Sequence, residues 1–446
     1  MREGSLGAPT RHVIDWTDPD FVNVEKIDEE MRRVFDVCHG CRRCFNLCDS
    51  FPRLFDLVDE SLTGELDSVD SKDFKSVVDA CTLCDMCFLT KCPYVPPHEF
   101  NIDFPHLMLR YRAADFKKGK ISAVNKELAK TDRNGKIAGI AAPVVNWITK
   151  TDNSITRPFL EKTLKINKSA AIPRFHSETL IKQAHKKNLV LNKDAPAYGH
   201  RAVIYATCFG NYNNPSLGLA AREILSYNGV ETEIVYPGCC GMPSLEQGDL
   251  EKVSRNAQNV SAEMKPWIEK GYTVIALIPS CALMLKQEWP LINTQDENVK
   301  LLSQNVKDIS EYIVSLSKRF GLAPGLKSLG ENITLQLACH ARAQNIGQKA
   351  AEMLRLIPDT LVNVIERCSG HGGAWGMMDD HFETAIKVGK PAVKQAIKNN
   401  NRLVLSECPL AADHLIQGIQ KESGFDVKFT SAHPIEILAK AYGFDV

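Results

Sequence analysis

Long apolar runs and net charge are both missing from this 446-residue sequence. The uncharged apolar stretch Ile137 to Ile148 is shorter than the roughly 18–20 apolar residues that cross a bilayer. The first residues show no basic segment followed by an apolar core, so we expect no secretory signal and a cytoplasmic location. Lysine plus arginine (54) equals aspartate plus glutamate (54), which gives no support for nucleic-acid binding.

Cysteine is absent from a long central segment, with none between Cys92 and Cys208, although the sequence contains 15 of them. Eight lie between Cys38 and Cys92, and seven between Cys208 and Cys408. A chain with 44% hydrophobic residues and this length does not need disulfides in order to fold. Tight cysteine clusters in a cytosolic chain therefore indicate metal or redox sites.

The first cluster contains two runs of four cysteines with the spacing that binds [4Fe–4S] cubes. Two-residue gaps bring three thiolates around one face of a cube, and the fourth cysteine of each run serves the other cluster in two-cluster proteins. We therefore predict two [4Fe–4S] clusters. The ligands of the first are Cys38, Cys41, Cys44 and Cys92, and those of the second are Cys81, Cys84, Cys87 and Cys48.

Zinc is the alternative metal for these cysteines, because two Cys-x-x-Cys pairs can also form a tetrahedral site. A zinc ribbon needs pairs of cysteines, whereas these cysteines form runs of four. The spacing therefore favours iron–sulfur cubes over zinc. Predicted helices at Glu25 to Val37 and at Asp73 to Ala80 surround the runs. Residues 20–110 therefore resemble an all-helical two-cluster ferredoxin domain.

The C-terminal half predicts a duplicated α/β architecture. Apolar β-rich runs alternate with predicted helices at 215–228, 249–269, 343–356 and 380–399, and each run leads into a cysteine. The interval from Cys208 to Cys239 to Cys281 is 31 and then 42 residues, and that from Cys339 to Cys368 to Cys408 is 29 and then 40. We predict two repeats, at 199–325 and 326–446, after the helical domain.

These six cysteines, with Cys240 and Gly241, resemble the cysteine-rich CCG domain family. That family includes iron–sulfur subunits of anaerobic glycerol-3-phosphate dehydrogenase, glycolate oxidase and heterodisulfide reductase, and the order of parts is most similar to the first of these. The resemblance implies that the CCG cysteines hold further iron–sulfur clusters and pass electrons toward a quinone or a disulfide.

The two copies depart from the full CCG pattern to different extents. The first copy keeps Cys208, Cys239, Cys240 and Cys281, enough for a third cluster, but has Met284 at the last cysteine position. The second copy has Ser369 and Ala411 at two cysteine positions and retains three thiols, those of Cys339, Cys368 and Cys408. It could use His340 or His371 as a further ligand, share ligands with the first copy, or have lost its metal. Its glycine loop, Gly370 to Gly376, predicts close backbone approach rather than dinucleotide binding.

Between these regions, residues 111–198 predict a basic helical linker. Residues 110–201 contain 20 basic and 7 acidic side chains. Ile137, Ile140, Val144 and Ile148 lie on one helical stripe, which Pro143 would kink. The stripe could pack on the protein's own domains or lie on an anionic membrane surface, for example the inner face of a membrane.

The sequence therefore predicts an iron–sulfur electron-transfer subunit of an oxidoreductase complex rather than a complete enzyme. It would relay electrons between a flavoprotein dehydrogenase, or a rubrerythrin-like redox partner, and a quinone or disulfide acceptor. The alternative is a catalytic subunit, similar to heterodisulfide reductase, that acts on a thiol or disulfide at the first CCG site. The sequence assigns no individual residue a catalytic role.

Overall fold

The computed structural model describes residues 9–423 and 429–445. Its first part, up to residue 117, contains no strand among the described residues. The helices of this part are α1 (Val24–Cys41), α2 (Ser50–Asp59), α3 (Phe74–Ala80), α4 (Met86–Thr90) and α5 (Phe104–Lys117), with 3-10 turns at Pro19–Val22, Leu66–Ser68 and Ser71–Asp73.

Helix α1 carries two of the predicted cluster cysteines. It begins after Asn23, whose side chain accepts a hydrogen bond from the Lys26 N–H, and its buried side chains recur at helical spacing. The predicted helix ended at Val37, whereas α1 continues to Cys41, so that Cys38 and Cys41 lie on its last turn. Arg42 ends the helix in the left-handed region with a φ of 51°.

The basic middle region is also helical. Its helices are α6 (Ala123–Leu128), α7 (Thr131–Ile140), α8 (Ala142–Thr149), α9 (Thr156–Leu164) and α10 (Leu180–Lys186). The single kinked helix predicted around Pro143 is instead two helices, because Pro143 lies in the first turn of α8, where its missing N–H removes no helical hydrogen bond. Within the described residues, no helix is long and apolar enough to cross a membrane.

Two four-stranded parallel sheets follow in the described part of the chain. The first sheet contains β1 (Arg201–Tyr205), β2 (Glu231–Val235), β3 (Thr273–Ala276) and β4 (Val306–Asp308). Its helices are α11 (Cys208–Tyr212), α12 (Pro215–Tyr227), α13 (Met242–Glu246), α14 (Leu250–Glu269), α15 (Pro279–Leu283), α16 (Trp289–Ile292), α17 (Glu297–Asn305) and α18 (Ile309–Phe320), and a π-helical turn spans Met284–Glu288.

The second sheet contains β5 (Ile333–Gln336), β6 (Val362–Ile365), β7 (Leu403–Ser406) and β8 (Thr430–Ala432). Its helices are α19 (Cys339–Ala343), α20 (Lys349–Leu354), α21 (Asp379–Asn399), α22 (Pro409–Ser423) and α23 (Pro434–Tyr442), with a 3-10 turn at Trp375–Met377. The strand orders are β2-β1-β3-β4 and β6-β5-β7-β8, so the predicted duplication of an α/β unit is confirmed.

One helix boundary in the second repeat was wrong. The sequence predicted a helix over 343–356, whereas α20 is confined to Lys349–Leu354. Asn345 and Gly347 have φ values of 54° and 78° in the left-handed region, which a continuous right-handed helix cannot contain. The short strands β4 and β8 were not predicted, because three residues carry too little alternation to be recognised.

A buried ionic cluster joins the N-terminal segment to two other parts of the chain. The guanidinium of Arg11 bonds Asp85 at 2.7 Å, Asp103 at 2.9 Å and Glu288 at 2.9 Å. His106 Nε2 also contacts Glu288, at 3.1 Å. Burial by itself would raise the pKa of Glu288, but the nearby His106 and Arg11 lower it to about 2. One cation thus fixes the cysteine-rich region against the first repeat.

Removing this cation should be costly, because three buried carboxylates would lose their common partner. We expect Arg11→Met to lower the free energy of unfolding by about 3–5 kcal/mol, measured from urea denaturation followed by far-UV circular dichroism. The matched control is Arg255→Met, whose ion pair with Glu251 lies in solvent and should be worth no more than about 1 kcal/mol. Equal effects of the two substitutions would contradict this account of the cluster.

Candidate metal centres

The first four predicted ligands lie together around the end of α1. Burial raises the pKa of the Cys38 thiol, and the neighbouring thiols of Cys92, Cys44 and Cys41 raise it further. Burial also raises the pKa of Cys44 to about 12, with Cys92 and Cys41 as its thiol neighbours. All four side chains are partly exposed. The structure therefore brings these four cysteines together near the surface.

The second predicted set lies deeper. Burial raises the pKa of Cys48, and its interacting thiols are those of Cys84 and Cys81. Burial likewise raises the pKa of Cys87, which interacts with Cys84, Cys44, Cys81 and Cys48. The interaction between Cys87 and Cys44 links the two sets.

The segment 81–87, which we name the cluster loop, is held by contacts from three distant parts of the chain. Arg112 donates to the carbonyl of Cys81, and Arg11 bonds the carboxylate of Asp85. His340 Nε2 lies 3.2 Å from the carbonyl oxygen of Leu83. Leu83 and Asp85 both have positive φ values, 48° and 63°, so the loop has a backbone that side chains rarely adopt without such support.

The four cysteines of the first CCG copy form a third group. Cys208, at the start of α11, follows β1, and Cys281 on α15 follows β3, so the carboxyl ends of parallel strands place them at one edge of the sheet. The Cys239 and Cys208 sulfurs are 3.9 Å apart, and those of Cys240 and Cys281 are 3.3 Å apart. Tyr205 interacts with all four thiols, which together with its burial raise its pKa.

Helix α7 of the basic middle region covers this group, which the sequence did not predict. Thr131 donates a hydrogen bond to the Cys239 sulfur at 3.3 Å, and Asp132 accepts hydrogen bonds from the Cys239 N–H and the Tyr236 hydroxyl. Burial raises the pKa of Asp132, although Tyr236 opposes the shift. Gly135 packs directly on the Tyr212 ring. The predicted linker thus supplies polar side chains to the first CCG copy.

The second copy is arranged differently. The thiols of Cys368, of the same copy, and of Cys84, of the cluster loop, raise the pKa of Cys339. Cys408 instead interacts with the carboxylates of Glu407 and Asp413. The structure therefore brings together two of the three cysteines of this copy.

The two histidines weighed as ligands of the second copy have separate environments. His340 contacts the cluster loop through the Leu83 carbonyl. His371 is buried, its ring centre lies 5.8 Å from that of His414, and its Nε2 has no hydrogen-bond partner among the described residues. Burial lowers the pKa of His371 to about 3.

The glycine loop that follows Cys368 packs tightly, as predicted. A Cβ at Gly370 would lie 1.9 Å from the Ala385 carbonyl oxygen, and one at Gly376 would lie 2.1 Å from that of His371. Gly370 also has a φ of 84°. The prediction of close backbone approach at this loop is confirmed.

The donor sets consist of thiols, which are the usual ligands of iron–sulfur clusters. Among residues 9–423 and 429–445, no group of three or more His, Cys, Asp or Glu side chains is arranged to ligate one metal ion. Four clustered thiols, of which those of Cys239, Cys240 and Cys281 are buried and that of Cys208 is partly exposed, cannot all be deprotonated without a compensating cation. Contact with Cys239, together with burial, raises the pKa values of Cys208 and Cys240. These sets fit iron–sulfur clusters.

Comparison with known proteins identifies the class of the duplicated half. A family model described as a cysteine-rich domain, CCG, matches residues 202–286 and again residues 333–410. The chain therefore contains this domain twice, once on each parallel sheet, and the resemblance found in the sequence is confirmed.

Curated relatives share this domain and, in part, the preceding region. One component of the fumarate reductase (CoM/CoB) of Methanothermobacter marburgensis is 26% identical over 55% of this chain and 47% of its own length. One component of the dihydromethanophenazine:CoB–CoM heterodisulfide reductase of Methanosarcina acetivorans is 24% identical over 85% of this chain and 98% of its own length. Lactate utilization protein A of Bacillus pumilus is 26% identical over 39% of this chain and 74% of its own length. The chain spans about half the length of the first of these relatives.

The contact between α7 and the first CCG copy can be tested at Gly135. An added methyl group would lie 2.4 Å from the Tyr212 ring, so we expect Gly135→Ala to destabilise the protein by about 1–3 kcal/mol in urea unfolding. Gly40→Ala on α1 is the matched control, because nothing lies within 4 Å of the added carbon. It should be neutral or stabilising by up to about 1 kcal/mol. A neutral Gly135→Ala would show that α7 does not pack here.

Proposed function

We propose that this protein is an iron–sulfur electron-transfer subunit of an oxidoreductase similar to heterodisulfide reductase. The observation that carries the proposal is the position of the cluster loop, which contacts both CCG copies. His340 Nε2 of the second copy lies 3.2 Å from the Leu83 carbonyl oxygen, and the thiols of Cys368 and Cys84 raise the pKa of Cys339. Met242 and Leu283 of the first copy line the same cavity as Leu83 and Asp85. A cluster bound by the loop would thus lie beside both α/β units.

The proposed clusters form a short chain. The two cubes, when bound, would each carry one electron. Cys38, Cys41, Cys44 and Cys92 would hold the first cube near the surface, where a redox partner can approach. The interaction between Cys44 and Cys87 supports direct transfer to the second set. Cys208, Cys239, Cys240 and Cys281 would hold a third cluster.

The names of the relatives support the proposal of a redox partner. The heterodisulfide reductase and fumarate reductase relatives carry the names of components of multi-subunit oxidoreductases, so we propose a separate redox protein as the partner of this chain. That partner would be a flavoprotein dehydrogenase or a rubrerythrin-like protein that docks at the first set. The acceptor would be a quinone or a disulfide.

A catalytic role at the first CCG copy is the second candidate. It is favoured by Asp132, which accepts hydrogen bonds from the Tyr236 hydroxyl and the Cys239 N–H and so places an acidic group beside the thiols. The test is reduction of the CoM–CoB heterodisulfide by reduced viologen. A Cys240→Ser protein with intact cubes and full turnover would remove this candidate.

Metal analysis tests the proposal directly. We expect about twelve irons and about twelve acid-labile sulfides per chain in anaerobically purified protein, with EPR signals of interacting cubes after reduction. Cys281→Ser should lose about four irons, whereas Cys408→Ser, at the position that lies apart from the other thiols, should lose none. About eight irons in the unmodified protein would make the first copy a docking fold without metal. Zinc without sulfide would overturn the proposal.

We also propose that the protein works at an anionic membrane surface. Six large apolar side chains on or beside α7, α8 and α9 are exposed to solvent, and Ile140 and Phe159 are 87% and 66% exposed. We name this surface the linker patch: Ile137, Ile140, Val144, Trp147, Ile155 and Phe159. Exposed Lys136 and Lys162 lie on the same helices. Apolar and basic side chains together suit an interfacial site on an anionic bilayer, where a quinone would be reached.

Cosedimentation with liposomes tests the linker patch. We expect the protein to bind vesicles that contain phosphatidylglycerol but not neutral phosphatidylcholine vesicles, and Ile140→Glu with Val144→Glu to abolish binding. The matched control is Val190→Glu, since Val190 is 91% exposed in the same basic region but outside the patch. Unchanged binding of the double variant would remove the membrane proposal, and binding only to a purified membrane protein would assign the patch to a protein partner.

A further inference from the structure

The first two residues of α7 place their polar side chains on another part of the protein. Lys130 is the N-cap residue, and its side chain makes no capping hydrogen bond. Thr131 and Asp132 belong to the residue types that often satisfy free N–H groups at helix starts. Here both bind the first CCG copy, Thr131 at the Cys239 sulfur and Asp132 at the Cys239 N–H. Their contacts therefore serve the cysteine rather than the helix end.

Two donors point at the Cys239 sulfur. The Thr131 hydroxyl donates to it at 3.3 Å, and the Gly241 N–H donates to it at 3.4 Å. Gly241 belongs to the Cys-Cys-Gly sequence itself, whereas Thr131 lies 108 residues away along the chain. Cys239 is buried, so solvent competes little for its sulfur. The basic middle region thus supplies one of the two donors.

The donor is fixed by the contacts that hold α7 in place. Asp132 accepts hydrogen bonds from the backbone of the same cysteine at 3.3 Å and from the Tyr236 hydroxyl. One turn further along α7, Gly135 lies against the Tyr212 ring, where an added Cβ would be 2.4 Å from a ring carbon. These contacts on either side keep the hydroxyl of Thr131 over the sulfur.

The acceptor is held as firmly as its donor. Asn256 of α14 donates to the Cys239 carbonyl at 3.1 Å, and the buried Trp289 of α16 donates to the Cys240 carbonyl at 3.0 Å. Gly241 completes the turn with a φ of 86°. Because donor and acceptor are fixed by different elements, the hydrogen bond is in place before any charge changes at the sulfur.

A hydrogen bond to a ligand sulfur acts on the reduction potential of a cluster. Reduction adds negative charge, part of which resides on the sulfurs, and a donor that points at a sulfur stabilises that charge. Hydrogen bonds to charged acceptors are also stronger than those between neutral groups. A fixed hydroxyl at Cys239 therefore favours the reduced state of a cluster bound by the first CCG copy.

We propose that the Thr131 hydroxyl raises the reduction potential of the third cluster through its hydrogen bond to Cys239. The inference rests on the proposed function, because the first CCG copy must hold a cluster. Thr131 acts through the sulfur and is a positioning residue rather than a catalytic one. A higher potential at the third cluster makes electron transfer from the two cubes to it more favourable, so the middle region helps to direct the electrons.

Redox titration of the full-length, anaerobically purified protein, followed by EPR, tests this role. The signal that Cys281→Ser loses identifies the third cluster. Thr131→Val keeps the shape of the side chain without its hydroxyl, and Thr131→Ser keeps the hydroxyl. The matched control is Thr163→Val on α9, where an exposed hydroxyl donates to the Phe159 carbonyl.

We expect Thr131→Val to lower the ratio of reduced to oxidised third cluster about two- to tenfold at a fixed potential. A tenfold change corresponds to about 59 mV for one electron. Thr131→Ala, which removes the hydroxyl without adding volume, should behave in the same way. Thr131→Ser and Thr163→Val should titrate like the unmodified protein.

Electron–nuclear double resonance gives a second readout of the same hydrogen bond. The reduced third cluster should show an exchangeable proton, sensitive to D2O, that Thr131→Val loses and Thr131→Ser retains. The Gly241 N–H is present in every variant and serves as the internal reference. An identical set of exchangeable protons in Thr131→Val and the unmodified protein would contradict the hydrogen bond.

Iron and sulfide analysis of the same samples separates this inference from the proposed function. About twelve irons with an unchanged potential in Thr131→Val would overturn the tuning role and leave electron transfer standing. An equal shift in Thr131→Ser would assign the effect to packing and likewise overturn it. About eight irons in the unmodified protein would remove the third cluster and this inference with it. Protein without iron or sulfide would remove the proposed function itself.

Discussion

The support of the cluster loop is the constraint on which the rest of the arrangement depends. Leu83 and Asp85 have backbone conformations that cost free energy, so segment 81–87 needs partners to keep its shape. Arg112 of α5 donates to the Cys81 carbonyl, and Arg11 of the N-terminal segment binds the Asp85 carboxylate. His340 of the second repeat contacts the Leu83 carbonyl. Each contact also joins two parts of the chain. The contacts that fix the geometry of the thiols are therefore the same contacts that hold the parts of the fold together.

The two parallel sheets position the cysteines that lie outside the cluster loop region. The cysteines of the first copy follow strands whose carboxyl ends share an edge, so Cys208, Cys239 and Cys281, which are 31 and then 42 residues apart, become neighbours. Helix α15, which carries Cys281, packs against α19, which carries Cys339. Duplication thus places the thiol-bearing ends of both sheets side by side, and the cluster loop lies against them.

Local patterns were readable in the sequence, and contacts between distant parts were not. Cysteine spacing and alternating apolar runs predicted the thiol sets and the duplicated sheets, because both depend on residues close along the chain. Asp132 lies 107 residues from Cys239, and no local pattern indicates that contact. The stripe at Ile137 and Ile140 was recognised as amphipathic, but periodicity cannot tell whether such a face meets protein or solvent.

The two copies have diverged in a way that their positions explain. The first copy retains four thiols and is covered by Thr131 and Asp132 of α7, which limits the access of water to them. The second copy has serine and alanine at two cysteine positions, yet its His340 contacts the cluster loop at the Leu83 carbonyl. This copy therefore meets the cysteine-rich region through its fold rather than through a set of four cysteines. The contact of His340 with a loop whose backbone needs support gives the second copy a structural role that does not depend on the missing cysteines.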